Sequence, residues 1–240
     1  MKPKSLLGFE LIVGWYRFLH TGIYLETQLP SIPLPDQTSM PKTVWGFTLN
    51  TRLISQRLEE VSQNPDKTNF FGYLLLVSAY RGIFATFIEI LNRTPDFLAR
   101  CQYVVGDQRQ DFYITAQFIR NTTTHTYDPH LRLSSTDHKA LIFHTKRLGR
   151  TTIVFDFVYK NALPQWGGDP HYGVSCRYDA QACVPGTSLW DIFSRSTLFR
   201  LAELCYNLCV AYRMAEMHVQ EQHGFSSSSK KVRRSQSKTS

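Results

Sequence analysis

The chain reads as mainly α: an up-and-down helical bundle with a β-hairpin inserted before its last core helix. Three observations predict this. Apolar residues recur at steps of three and four over most of the length. One block, 140–159, is instead rich in β-branched and aromatic residues around a central Gly149. Helix starts are marked by Thr94-Pro95, by Asp107 with Gln110, and by Ser188 with Asp191.

Composition bounds what such a bundle can be. The chain has 240 residues, 42% hydrophobic, 13% aromatic and 19% charged, which suits one packed domain and argues against disorder. Lys230, Lys231, Arg233, Arg234 and Lys238 supply five of the formal net charge of +8 and leave +3 for the rest. That balance permits a nucleic-acid partner without demanding one. The five cysteines are odd in number and lack a Cys-x-x-Cys repeat, which predicts a reduced, cytoplasmic protein without disulfides. Glu10 interrupts the first apolar run and no small-residue cleavage site follows, so no signal peptide is expected. No uncharged apolar run reaches the length of about 18 residues that spans a bilayer, so no membrane partner is expected.

Taken in order, Leu6, Phe9, Ile12, Val13 and Tyr16 share the face of a first helix. Pro30, Pro33, Pro35 and Pro41 predict an extended connector, which closes an N-terminal segment, 1–45. A helical domain, 46–222, follows. Its first helix covers about 51–62, with Leu53, Ile54, Leu58 and Val61 inward, and Asn64-Pro65-Asp66 breaks it. The next, about 68–92, is apolar on most sides, which places it at the centre of the bundle. Thr94-Pro95 caps a short helix, and Gly106 separates it from another over about 108–126, where Phe112, Ala116 and Ile119 face inward. Strands at 140–146 and 152–159 form the hairpin, and 161–186 reads as an irregular excursion, so the inserted part covers about 139–187. Asp156 suits an edge position, and Gly167-Gly168-Asp169-Pro170 suits a turn. The last helical region carries Leu198, Leu201, Cys205, Leu208 and Tyr212 inward to about His218, with a break expected at 194–197. The basic, Ser-rich end, 223–240, is expected to be disordered.

The chemistry concentrates at the end of the 108–126 helix, in Arg120-Asn121-Thr122-Thr123-Thr124-His125-Thr126-Tyr127, ahead of Asp128-Pro129. A guanidinium can hold phosphate oxygens while an imidazole nearby moves a proton. Arg132/His138 and Arg213/His218 have similar spacing, but only Arg120 is followed by a polar Asn121, and only His125 has a tyrosine two residues on. His125, His130 and His138 lack a cysteine or paired carboxylates to complete a metal site, so neither metal nor cofactor is expected.

Arg120, Asn121 and His125 resemble the signature of the HEPN superfamily (higher eukaryotes and prokaryotes nucleotide-binding domains). With Tyr127 the match extends to Arg-x-x-x-x-His-x-Tyr, which is similar to HEPN toxins paired with a nucleotidyltransferase antitoxin. The matching motif covers eight residues within a helical frame of about 50–220, and the hairpin region departs from a minimal HEPN bundle. The resemblance implies a metal-independent endoribonuclease, a toxin or defence effector, often with a site shared across a homodimer. It makes Arg120 the phosphate clamp, His125 the proton-transfer group, Asn121 a positioning or sugar-binding residue, and Tyr127 a candidate for modification by an antitoxin. The alternative is a non-catalytic HEPN-like module that binds a nucleotide, RNA or a protein.

Overall fold

The computed structural model describes residues 4–28, 42–44, 47–49, 65–125, 131–159 and 172–236, with side chains over 8–24, 75–124, 131–158 and 173–216. The protein is mainly helical. Helix α1 (Lys4–Gln28) extends well beyond the face read from its first residues. A small antiparallel pair follows, β1 (Lys42–Val44) with β2 (Phe47–Leu49), across the boundary expected near 45. The Pro-rich connector and the helix expected at 51–62 lie outside the described residues.

Helix α2 (Pro65–Arg93) is the centre of the bundle, as its all-round apolar pattern predicts. Within it, Leu75–Arg93 has the length and composition of a membrane span, but it is mostly buried inside the bundle. Helix α1 lies along α2 in the opposite direction: Gly8 faces Ile90, Trp15 faces Gly82, and Gly22 faces Leu76. A Cβ on Gly82 would fall inside the Trp15 indole, so this glycine lets the two helices close on each other.

Helix α3 (Pro95–Val105) begins at Thr94-Pro95 as predicted, although the Thr94 side chain makes no capping bond. A 3-10 turn, Gly106–Gln108, leads into α4 (Arg109–His125), the motif helix. Asp107 lies within that turn and forms no capping box with Gln110. Instead the Gln108 carboxamide donates to the Asp156 carbonyl at 2.7 Å and accepts from its backbone N–H at 2.6 Å. These two bonds close the strand edge on which Asp156 sits.

The strand expected at 140–146 is helical. Helix α5 (Ser135–Leu148) covers it, so the inserted β element is shorter than the 139–187 span suggests. Ser134 and Asp137 form a capping box, Gly149 closes the helix in the left-handed region at φ 68°, and Asp137, Leu141 and Thr145 are buried at steps of four. These caps and that period outweigh the β propensity of Ile142, Phe143 and Thr145. The second expected strand forms as β3 (Thr152–Tyr159), and its partner is β4 (Tyr172–Asp179), from the stretch read as irregular. Ile153 pairs with Tyr178, Phe155 with Cys176 and Phe157 with Val174, and all six are buried. The hairpin is therefore a wall of the core, packed on α4 through Phe155 against Phe112 at 5.1 Å and Tyr178 against Phe118 at 5.7 Å.

Helix α6 (Leu189–Ile192) starts at the Ser188–Asp191 capping box, and the chain breaks at Phe193 and Ser194, earlier than the 194–197 break expected, with 195–197 already helical. Helix α7 (Arg195–Gln236) follows. Leu198, Leu201, Cys205 and Leu208 are buried, and Tyr212 packs on Phe97. Its backbone continues past His218 and Gly224 to Gln236, where disorder was expected. Extending a formed helix needs no new nucleus, and no proline stops this one. All five cysteines are free and buried.

Candidate functional site

The motif lies on the last turns of α4, whose faces divide sharply. Phe112, Ile114, Thr115, Ala116, Phe118, Ile119, Thr122 and Thr123 are buried, while Arg120 and Asn121 are half-buried on the open side. The Arg120 guanidinium donates through Nη1 to Asn121 Oδ1 at 2.9 Å, and Gln117 Nε2 donates to the same oxygen at 2.9 Å. Asn121 Oδ1 thus accepts from both side chains and holds the Arg120 guanidinium. Arg120 Nε is buried and has no hydrogen-bond partner among the described residues, and the same is true of Thr124 Oγ1. Buried polar groups are nearly always paired, so two orphans within five residues of each other distinguish this end of the helix.

Two of the three threonines between Arg120 and His125, Thr122 and Thr123, are structural. Thr122 Oγ1 donates to the Phe118 carbonyl at 3.1 Å, and Thr123 Oγ1 donates to the Ile119 carbonyl at 2.8 Å. Such bonds satisfy a hydroxyl inside a helix and leave it no part in catalysis. His125 is the final residue of α4. Its side chain, Tyr127 and the Asp128-Pro129 stop lie outside the described residues. On one ideal helix, positions five apart differ by about 140° around the axis.

Arg81, which sequence reasoning missed, reaches this end from α2. Its Nε donates to the Thr123 carbonyl, one of the last acceptors of α4. A cation at a helix C-terminus also complements the helix dipole. The available signal was an arginine between buried Tyr80 and Gly82 in an apolar helix, where a guanidinium must find an acceptor. Beyond the motif the chain is pinned again. Leu131 is buried in the left-handed region at φ 49°, and Leu133 exchanges backbone bonds with Thr187 and Gly186, each at 2.9 Å.

The other Arg/His pairs are structural where described. Arg132 bridges to Ser188, while His138 Nδ1 lies 2.7 Å from the Cys183 carbonyl and ties α5 to the turn after β4. Arg213 pairs with Glu216 at 3.4 Å. Among the described residues no group of three His, Cys, Asp or Glu could hold a metal.

A cleft of about 600 Å³ opens at the opposite end of α4, between the end of α2, α3 and α5. Leu98, Val105, Ile114 and Leu148 form apolar wall, Asn92, Gln102 and Gln110 bring carboxamides, and Arg109, Arg147 and His144 bring nitrogen bases and cations. Its described lining contains no Asp or Glu. Burial, helped by nearby Arg147, lowers the His144 pKa and favours its neutral form. Burial pushes the Cys101 thiol up to about 12, which removes it as a nucleophile.

Comparison with family models, curated proteins and solved structures gives no match. The functional reading rests on this geometry and on the motif.

Proposed function

We propose that the chain is a metal-independent endoribonuclease of HEPN type, a toxin or defence effector acting in the cytoplasm. The observation that carries the reading is the Arg120–Asn121 pair on the open side of a core helix that ends at His125, with Arg120 Nε unmet among the described residues. RNA brings its own nucleophile. The 2′-hydroxyl gives its proton to a base and attacks the adjacent phosphorus. The P–O5′ bond breaks, and the departing oxygen takes a proton, which leaves a 2′,3′-cyclic phosphate and a 5′-hydroxyl. His125 serves the proton transfers, and Arg120 stabilises the phosphorane charge through two N–H donors. Because positions five apart on an ideal helix lie about 140° apart around the axis, a homodimer that brings two helix ends together supplies a shared Arg/His cleft. Tyr127, two residues on, is the acceptor for modification by a nucleotidyltransferase antitoxin.

A non-catalytic module that binds nucleotide, RNA or protein is the second reading. It is favoured by the structural side of the same bonds: Arg81 closes the helix end and Asn121 ties down Arg120. RNA cleavage in EDTA separates the two. Wild type should cut and leave cyclic phosphate ends, while folded Arg120→Ala and His125→Ala should lose on the order of a hundredfold or more. Equal cutting by both variants would remove the catalytic assignment.

A further inference from the structure

From Arg109 to Asn121, the residues of α4 that are not buried are Arg109, Gln110, Tyr113, Gln117, Arg120 and Asn121. None is a carboxylate and none is aliphatic. Asp111, the acid of this stretch, is buried on the other side and held by Arg150 at 2.6 Å. Arg109 and Arg120 are eleven residues apart, which on an α-helix is about 16 Å along the axis and only about 20° around it. They therefore stand on one line, with a tyrosine and carboxamides between them. Arg109, Gln110 and Tyr113 also line the cleft, where Arg147 of α5 adds a second cation.

We propose that this open face of α4 is a binding track for single-stranded RNA, leading from the cleft at Arg109 and Arg147 to the motif at Arg120 and Asn121. The inference rests on the ribonuclease reading for what happens at Arg120 and extends it to how the strand arrives there. The span of about 16 Å matches about five nucleotides at a stacked spacing of 3.4 Å. Arginines at both ends meet phosphates, while the Tyr113 ring gives a base a stacking surface. The carboxamides of Gln110 and Gln117 can each donate to and accept from a base edge. A cleft of about 600 Å³ with apolar walls has room for an unstacked base at the far end. An acidic peptide would use the arginines but not the aromatic and amide positions. A duplex would present its phosphates without exposing base faces.

The test is binding by the full chain of a labelled single-stranded 2′-O-methyl oligoribonucleotide, which lacks the nucleophile and is not cut. Arg109→Glu with Arg147→Glu should weaken binding about tenfold or more and reduce the slope of log affinity against log salt by about 1.4, two phosphate contacts on a single strand. Lys139→Glu with Arg177→Glu changes net charge equally at exposed positions that are neither on α4 nor in the cleft lining, and should move affinity less than about twofold. Thermal melts establish that each variant is folded. Equal weakening by the two pairs, no binding by wild type, or equal competition by duplex RNA or polyglutamate would overturn the track. A protein that binds in this pattern but never cuts refutes the ribonuclease reading and leaves the track standing. A protein that cuts while the Arg109/Arg147 variant binds as wild type refutes the track alone.

Discussion

The two ends of α4 solve the same problem in opposite ways. At its start, polar groups are paired with distant elements: Asp111 accepts two bonds from Arg150, at 2.6 and 2.7 Å, and Gln108 closes the Asp156 edge. At its finish, Arg81 and Asn121 satisfy part of the polar surface, while Arg120 Nε and Thr124 Oγ1 meet no partner among the described residues. A fully paired buried network specifies position, whereas an unmet donor beside an open face costs stability and keeps a hydrogen bond available. The contrast separates groups that hold the helix from groups that have work elsewhere.

The strongest break of that comparison is Arg120→Ala, which on the proposed mechanism removes on the order of a hundredfold or more of cleavage. It should leave urea stability within about 1 kcal/mol of wild type, because the lost bond to Asn121 is partly exposed. Arg150→Ala should do the reverse. It leaves the Asp111 carboxylate buried without its cation, and chemical denaturation should show a loss of about 3 kcal/mol, at the low end for such pairs because Arg150 itself is half-exposed. If Arg150→Ala were neutral in stability, the two ends would not differ as argued.

Gly82→Ala probes the frame that holds both ends. Its Cβ would meet the Trp15 ring at 2.1 Å, so a loss of about 1–3 kcal/mol and a lower melting temperature are expected. Asn121→Ala should lower cleavage by about tenfold through looser placement of Arg120, and stability should fall by about 1 kcal/mol or less. The smallest effect concerns His144. Its folded pKa is lowered, so the stability linked to its neutral form is present above the unfolded value near 6.5 and is lost as pH falls through the folded pKa. Melting temperatures between about pH 7.5 and pH 5 should fall less in His144→Gln than in wild type.

Periodicity and caps carried much of the fold in advance. The central helix, the Thr94-Pro95 start, the Ser188–Asp191 capping box and the Leu198-to-Leu208 stripe all form where their local patterns put them. The errors have a shared cause. By β propensity 140–146 reads as strand, although Ser134-x-x-Asp137 and Gly149 bracket a helix, and the alternation of β4 makes sense only against β3. Asp107 and Gln110 have the spacing of a cap without forming one, while Gln108 between them bonds the backbone of Asp156, 48 residues away. The motif itself was legible as residue types. Its surroundings were not, because Arg81 lies 42 residues from the carbonyl it reaches.

The sequence by itself determined most of the helical segments and their apolar faces, and where an arginine, an asparagine and a histidine stand in order along α4. Those properties arise within one or two turns, where i, i+3 and i+4 neighbours and caps act directly. Tertiary structure alone decided that the hairpin is core wall, that Arg150 balances Asp111, that Arg81 closes the motif helix, and that Arg109 and Arg120 share an open face. Each of these depends on what packs against α4 from elsewhere in the chain. Desolvation and pairing across such distances follow the packed arrangement, and local spacing holds no record of it.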